Sequence, residues 1–174
     1  MAVLRVRRYG DPVLRRRARE VEAVTPDIRR LVEDMTDTMY DEVGIGLAAP
    51  QVGASIRLMV VGDDTNRGVQ ALVNPVIAAQ GGSVTAEEGC LSLPGVFAAV
   101  TRAEWVTLEA QDLEGAPISI TARGLRARVF QHEIDHLDGV LFIDRLEPVV
   151  RDRVKRRIKK EGFSEDAGHR AFAL

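Results

Sequence analysis

Residues 124–139 read Gly-Leu-Arg-Ala-Arg-Val-Phe-Gln-His-Glu-Ile-Asp-His-Leu-Asp-Gly, and this stretch decides how the rest of the chain is read. Leu125, Val129, His132, Glu133 and His136 recur at helical spacing, and Gly139 is a natural stop. Val129-Phe130 on one side and Leu137 on the other predict that the helix is buried. His132-Glu133-Ile134-Asp135-His136 fits H-E-x-x-H. Residues four apart share one helix face, so both imidazoles can reach the same ion. Glu133 points to one side, where it can take a proton from an activated water without being a ligand. An isolated histidine on an apolar face is usually a satisfied core residue. Here, however, two of the chain's three histidines fall in one motif. A buried helix carrying two His, a Glu and an Asp needs polar compensation, which a metal supplies.

The third ligand is open at this level. Extending H-E-x-x-H by x-x-G-x-x-H matches through Gly139 but meets Phe142, which cannot ligate. Glu147 is a carboxylate in a charged turn before Pro148, and His169 lies near a polar C-terminus. The lone cysteine, Cys90, sits in Glu87-Glu88-Gly89-Cys90-Leu91-Ser92, where Gly89 permits close backbone approach. A thiolate with two imidazoles makes a Cys-His-His set with a fourth position free for water. Sulfur softens the site, so iron(II) stands beside zinc. Cys90 as a nucleophile with a histidine base is the competing reading, but it leaves the H-E-x-x-H spacing unexplained. A metalloprotease with another third ligand and a non-catalytic metal-binding module are the other classes.

Around this helix the chain of 174 residues suits one domain over 1–174, with 162–174 as a flexible tail. Its 24 Lys and Arg against 26 Asp and Glu give a net charge of −2, which does not mark a dedicated nucleic-acid binder. No apolar run is long enough to span a bilayer, and no signal core opens the sequence. Thr25 and Pro26 open a helix whose stripe of Ile28, Leu31, Val32, Met35 and Met39 ends near Val43, with both methionines as core. Ile56 to Val61 and Val69 to Ala78 read as strands, and Trp105 to Asp112 with Pro117 to Ala122 read as a hairpin. A last helix over about Pro148 to Lys160 turns Val150, Val154 and Ile158 inward. The expected class is α+β: short antiparallel strands around a buried metal-binding helix, with N-terminal and C-terminal helices.

Three stretches carry a resemblance. Gly44-Ile45-Gly46-Leu47-Ala48-Ala49-Pro50-Gln51, Glu88-Gly89-Cys90-Leu91-Ser92 and Gln131-His132-Glu133-Ile134-Asp135-His136 are similar to the three motifs of the peptide deformylase family. They occur in the family's order, and Tyr9-Gly10-Asp11-Pro12-Val13-Leu14 is similar to its start. The resemblance implies removal of the N-formyl group from the initiator methionine of nascent chains, releasing formate. It implies Cys90, His132 and His136 as ligands of one divalent ion, iron(II) first, with zinc, nickel or cobalt as alternatives. Glu133 would be the general base and then the acid, and the Gln51 side-chain amide and the Leu91 N–H the oxyanion donors. Gly44 and Gly46 would admit a peptide strand, with Ile45, Leu125 and Val129 forming the apolar pocket. Glu88 and Arg102 would make a supporting ion pair. Gly95-Val96-Phe97 lacks an arginine that some members carry there, and Arg128 departs from an all-apolar pocket and is expected to point outward. Arg151 to Lys160 holds seven basic residues in ten, which implies either a solvated face or a ribosome contact. No membrane or DNA partner is expected. The missing transit peptide favours a bacterial cytoplasm.

Overall fold

Thr25 caps the first helix as its sequence demands. Its hydroxyl accepts the Ile28 N–H at 3.3 Å, and Pro26 begins α1, Pro26–Asp41. Met35 and Met39 are fully buried on the inner face of α1. The computed structural model describes residues 2–63, 68–163 and 174. Most of the tail expected over 162–174 therefore lies outside the described residues.

Strands β1 (Gly46–Ala48), β2 (Leu58–Asp63), β3 (Gly68–Gly81), β6 (Trp105–Gln111) and β7 (Pro117–Arg123) form one antiparallel sheet in the order β1-β2-β3-β6-β7. Strands β4 (Val84–Cys90) and β5 (Leu93–Arg102) form a separate two-stranded sheet. The five-stranded sheet follows the alternation of its apolar residues: Met59, Val61, Leu72, Val106 and Leu108 all turn to one core. β3 runs longer than its sequence implied and bulges between Val73 and Val76. Asn74 sits there at φ 50°, and its amide bonds both the N–H and the carbonyl of Val21 at 2.8 Å. That bulge also accommodates Pro75 inside a strand.

β7 passes into α2, Gly124–Leu137, with no loop between them. The sharp turn needs positive φ, and Gly124 supplies it at 61°. Every residue from Ala127 to Leu137 is buried. α2 lies against β1, β2, β6 and β7, and the β4–β5 hairpin covers another side through the side chains described below. The last helix, α3, spans Pro148–Glu161. Val154 and Ile158 pack against the third apolar cluster as expected. Val150 does not: in the first turn of α3 it is 38% exposed. The architecture is the α+β arrangement expected.

Candidate metal centre

Three donor atoms from two elements converge. His132 and His136 come from successive turns of α2, and Cys90 ends β4. His136 Nε2 lies 3.2 Å from His132 Nε2 and 3.3 Å from Cys90 Sγ. All three residues are buried, and their ligand atoms fall within 4.8 Å of one another. Ligands about 2.0–2.3 Å from one tetrahedral ion stand roughly 3.3–3.7 Å apart, so the triangle has the size a cation requires. Phe142, which removed the longer zinc motif, is buried and stacks on His132 with ring centroids 6.2 Å apart. Glu147 precedes α3 on the surface, and His169 lies outside the described residues.

The protonation states fit a metal. Burial lowers His132, partly offset by Glu88, and lowers His136 further, with His132 adding to the effect. Both are therefore neutral imidazoles, the ligand form. Burial alone would raise Glu88, but hydrogen bonds from His132 and Arg102 outweigh it and hold the carboxyl at about 2. As a carboxylate Glu88 can only accept, so the proton between Glu88 Oε1 and His132 Nδ1, 3.0 Å apart, belongs to histidine. That leaves the Nε2 lone pair facing the centre. Burial pushes the Cys90 thiol up, and only a cation beside it makes the thiolate favourable. Both Glu133 oxygens are buried without a hydrogen-bond partner among the described residues. Burial raises that carboxyl well above its ordinary value, which suits a group that gains and then returns a proton. His136 Nδ1 is similarly unpartnered.

Other site residues are placed by close packing. A Cβ on Gly46 would lie 2.8 Å from Val129 Cγ1 and 3.0 Å from Glu133 Oε1, so glycine there lets β1 lie on the metal helix. A Cβ on Gly44 would lie 2.8 Å from Leu91 Cδ1. Gln51 is fully buried at the end of a 3₁₀ turn over Ala49–Val52. Its Oε1 accepts the Ala48 N–H at 3.0 Å, which fixes the amide orientation. Its Nε2 consequently faces Ser92 Oγ at 3.1 Å and Cys90 Sγ at 3.7 Å. Leu91 follows Cys90 directly. Ile45 and Val129 pack in the same apolar cluster. Leu125 stands apart: it is 52% exposed and lines a cavity of about 380 Å³ with Val84, Ala86 and Arg128.

Arg128 corrects its expectation. It is buried, donating from Nη1 to Glu88 Oε2 at 2.5 Å and to the Val100 carbonyl at 2.9 Å, and from Nη2 to the Val84 carbonyl at 2.7 Å. Two carbonyls and a carboxylate compensate the guanidinium inside the protein. The expected pair of Glu88 and Arg102 is present, with bonds of 2.6 and 2.9 Å. Arg102 also bonds Asp135 at 2.9 Å, and Arg145 holds Asp135 through two bonds of 2.6 and 2.7 Å. Asp135 is thus compensated by arginines, and the metal is not needed for it. Ser92, Arg145 and Asp135 had no assigned part in the sequence reading. Only Asp135 left a signal there, as an acid on the buried face of the helix.

The fold and this centre define a metal-dependent hydrolase. The family model described as polypeptide deformylase matches residues 3–152. The chain is 48% identical to the peptide deformylase of Syntrophobacter fumaroxidans, over 92% of this chain and 96% of that protein. The peptide deformylase structure from Thermus thermophilus superposes with a TM-score of 0.86 at 49% identity, covering 91% of this chain and 95% of that one. One from Ehrlichia chaffeensis, in complex with actinonin, gives 0.85 at 37% identity, covering 92% and 99%. The chain belongs to the polypeptide deformylase family, metallo-hydrolases that take the N-formyl group from nascent polypeptides.

Proposed function

We propose that Cys90, His132 and His136 hold one divalent ion and that Glu133 carries the protons in hydrolysis of N-formylmethionyl peptides. The observation that supports these roles best is the buried triangle of donor atoms with the unpartnered Glu133 carboxylate on the same helix. A bound divalent ion supplies Lewis-acid chemistry, acidifying a water and polarising the formyl carbonyl. Glu133 removes the proton as the water oxygen bonds to the formyl carbon. It then delivers that proton to the methionyl nitrogen as the C–N bond breaks, leaving formate and a free amine. The Leu91 N–H and the Gln51 amide donate to the oxygen on which charge develops, each worth about 3 kcal/mol of barrier. Gly44 and Gly46 pack without side chains against Leu91 and α2, the peptide lies along their backbone, and Ile45 and Val129 receive the methionine side chain. Leu125, the third residue read into that pocket, borders it from an exposed position.

Formate release from formyl-Met-Ala-Ser tests the roles. Wild type is active, and Glu133→Ala and Cys90→Ala are each inactive; full activity of either variant refutes its assignment. Iron(II) is the ion proposed, with zinc, nickel or cobalt as substitutes, because one thiolate among two imidazoles makes a borderline-soft site. Metal analysis of anaerobically purified protein decides among them. We read residues 1–174 as one catalytic domain acting in a bacterial cytoplasm. Its relatives from bacteria support that setting, and no described helix is long and apolar enough to cross a membrane. The basic α3 is proposed to meet ribosomal RNA. Salt-dependent co-sedimentation with ribosomes that persists after changing Lys155, Arg156 and Lys159 to Glu would refute that contact.

A further inference from the structure

Beside the metal ligand Cys90, the strand position next to β4 is filled by a residue of the same chain. The Leu174 N–H donates to the Gly89 carbonyl at 3.2 Å, and the Leu91 N–H donates to the Leu174 carbonyl at 3.2 Å. One residue bonding to both neighbours of Cys90 is the pattern of a parallel bridge, so Leu174 is paired with Cys90 itself. Its side chain is 1% exposed and belongs to the apolar cluster that contains Val129 and Ile134, with Ile45 packed against it. This is how an extended peptide adds to a sheet edge: backbone bonds hold it, and an apolar pocket takes its side chain.

The geometry points to self-competition: Leu174 occupies, within its own molecule, the strand position that the formylmethionyl peptide requires. The inference rests on reading the Leu91 N–H as a donor that faces substrate. Reach is sufficient. Phe163, just past α3, lines one cavity with Val96 and Phe97, and Phe97 is the register partner of Gly89. Both anchor points therefore sit on one hairpin, and eleven residues extended span about 36 Å. Leu174 cannot stay docked while a peptide carbonyl takes the same N–H. Substrate then meets only the open fraction of the enzyme, and its apparent affinity falls by that fraction.

The test uses the full-length zinc-loaded protein with Leu174→Asp, and Leu174→Gly as a second variant that introduces no charge. Expected results are a shifted Leu91 amide resonance in the substrate-free variants and a KM for formyl-Met-Ala-Ser lowered at least about threefold, with kcat unchanged. Leu174→Met, which keeps an apolar side chain, retains the wild-type KM. A Leu91 resonance that does not move overturns the docking. A resonance that moves while KM stays constant overturns the competition, and places the error in the reading of Leu91. A wild-type KM that rises with enzyme concentration overturns occupancy within one molecule in favour of a second copy.

Discussion

Gly46 shows how little room surrounds the Glu133 carboxyl. Any side chain there meets Val129 and the Glu133 carboxylate together, and neither can retreat inside α2. Gly46→Ala is expected to leave metal content unchanged while kcat falls roughly 100-fold, the scale of a misplacement of about 1 Å; steady-state assays with metal analysis check both. Cys90 gives a second prediction. Burial holds its thiol protonated at neutral pH, so binding the ion must release that proton. Calorimetric titration with zinc in buffers of different ionisation heat should show about one proton released at pH 7, and affinity rising about tenfold per pH unit while the thiol remains protonated. Cys90→Ser should abolish that release. His132, Glu133 and His136 were legible in the sequence because the chemistry dictates both residue type and spacing, whereas spacing left Cys90 as one of several third ligands and gave no sign that Gly46 packs on α2. Leu125 was not separable from Val129, since helical spacing gives a face and not the depth at which each position on it lies.

The β4–β5 hairpin is the element the sequence hid. Its inward positions include Glu88 and Cys90, which are polar or reactive, and so Val84–Cys90 lacks the apolar alternation that marks β2 or β6. α2 was legible because Val129, Phe130, Ile134 and Leu137 declare its burial, yet the same burial concealed Arg128, whose partners Val84, Glu88 and Val100 all lie on the hairpin. Arg128 joins the two elements from inside. Arg128→Met leaves one carboxylate contact and two carbonyls unpaired, and unfolding in urea should show a loss of about 3–5 kcal/mol. Glu88 gives the acid dependence of the same junction. Its folded value of about 2 lies below the ordinary 4.5, so its contribution is complete above pH 4.5 and is lost as pH falls toward 2. The stability gap between wild type and Glu88→Gln should therefore be larger at pH 6 than at pH 3, by about 2 kcal/mol.

For the molecule as a whole, the centre bridges two sheets that share no strand pairing. Cys90 belongs to the β4–β5 pair, while α2, with both histidines, packs on the five-stranded sheet. An ion held by all three ties the hairpin to the main core, and it binds the folded chain alone, since the unfolded chain separates Cys90 from His132 by 42 positions. An ion at 100 times its dissociation constant adds about 2.7 kcal/mol to the folded state. For a chain of this size that corresponds to about 5–11 °C in Tm. Chelation should lower the melting temperature by that amount. Amide exchange should accelerate first in residues 84–102, because with the ion gone the hairpin is held to α2 by the arginine network, the Glu88–His132 hydrogen bond and apolar contacts. Exchange that quickens equally in β2 and β3 would show instead that the ion stabilises both sheets as one unit. The arginine network sharpens the test: in Arg128→Met the hairpin is left with the Arg102–Asp135 and Glu88–His132 bonds as polar links to α2, so chelation should lower Tm further than in wild type.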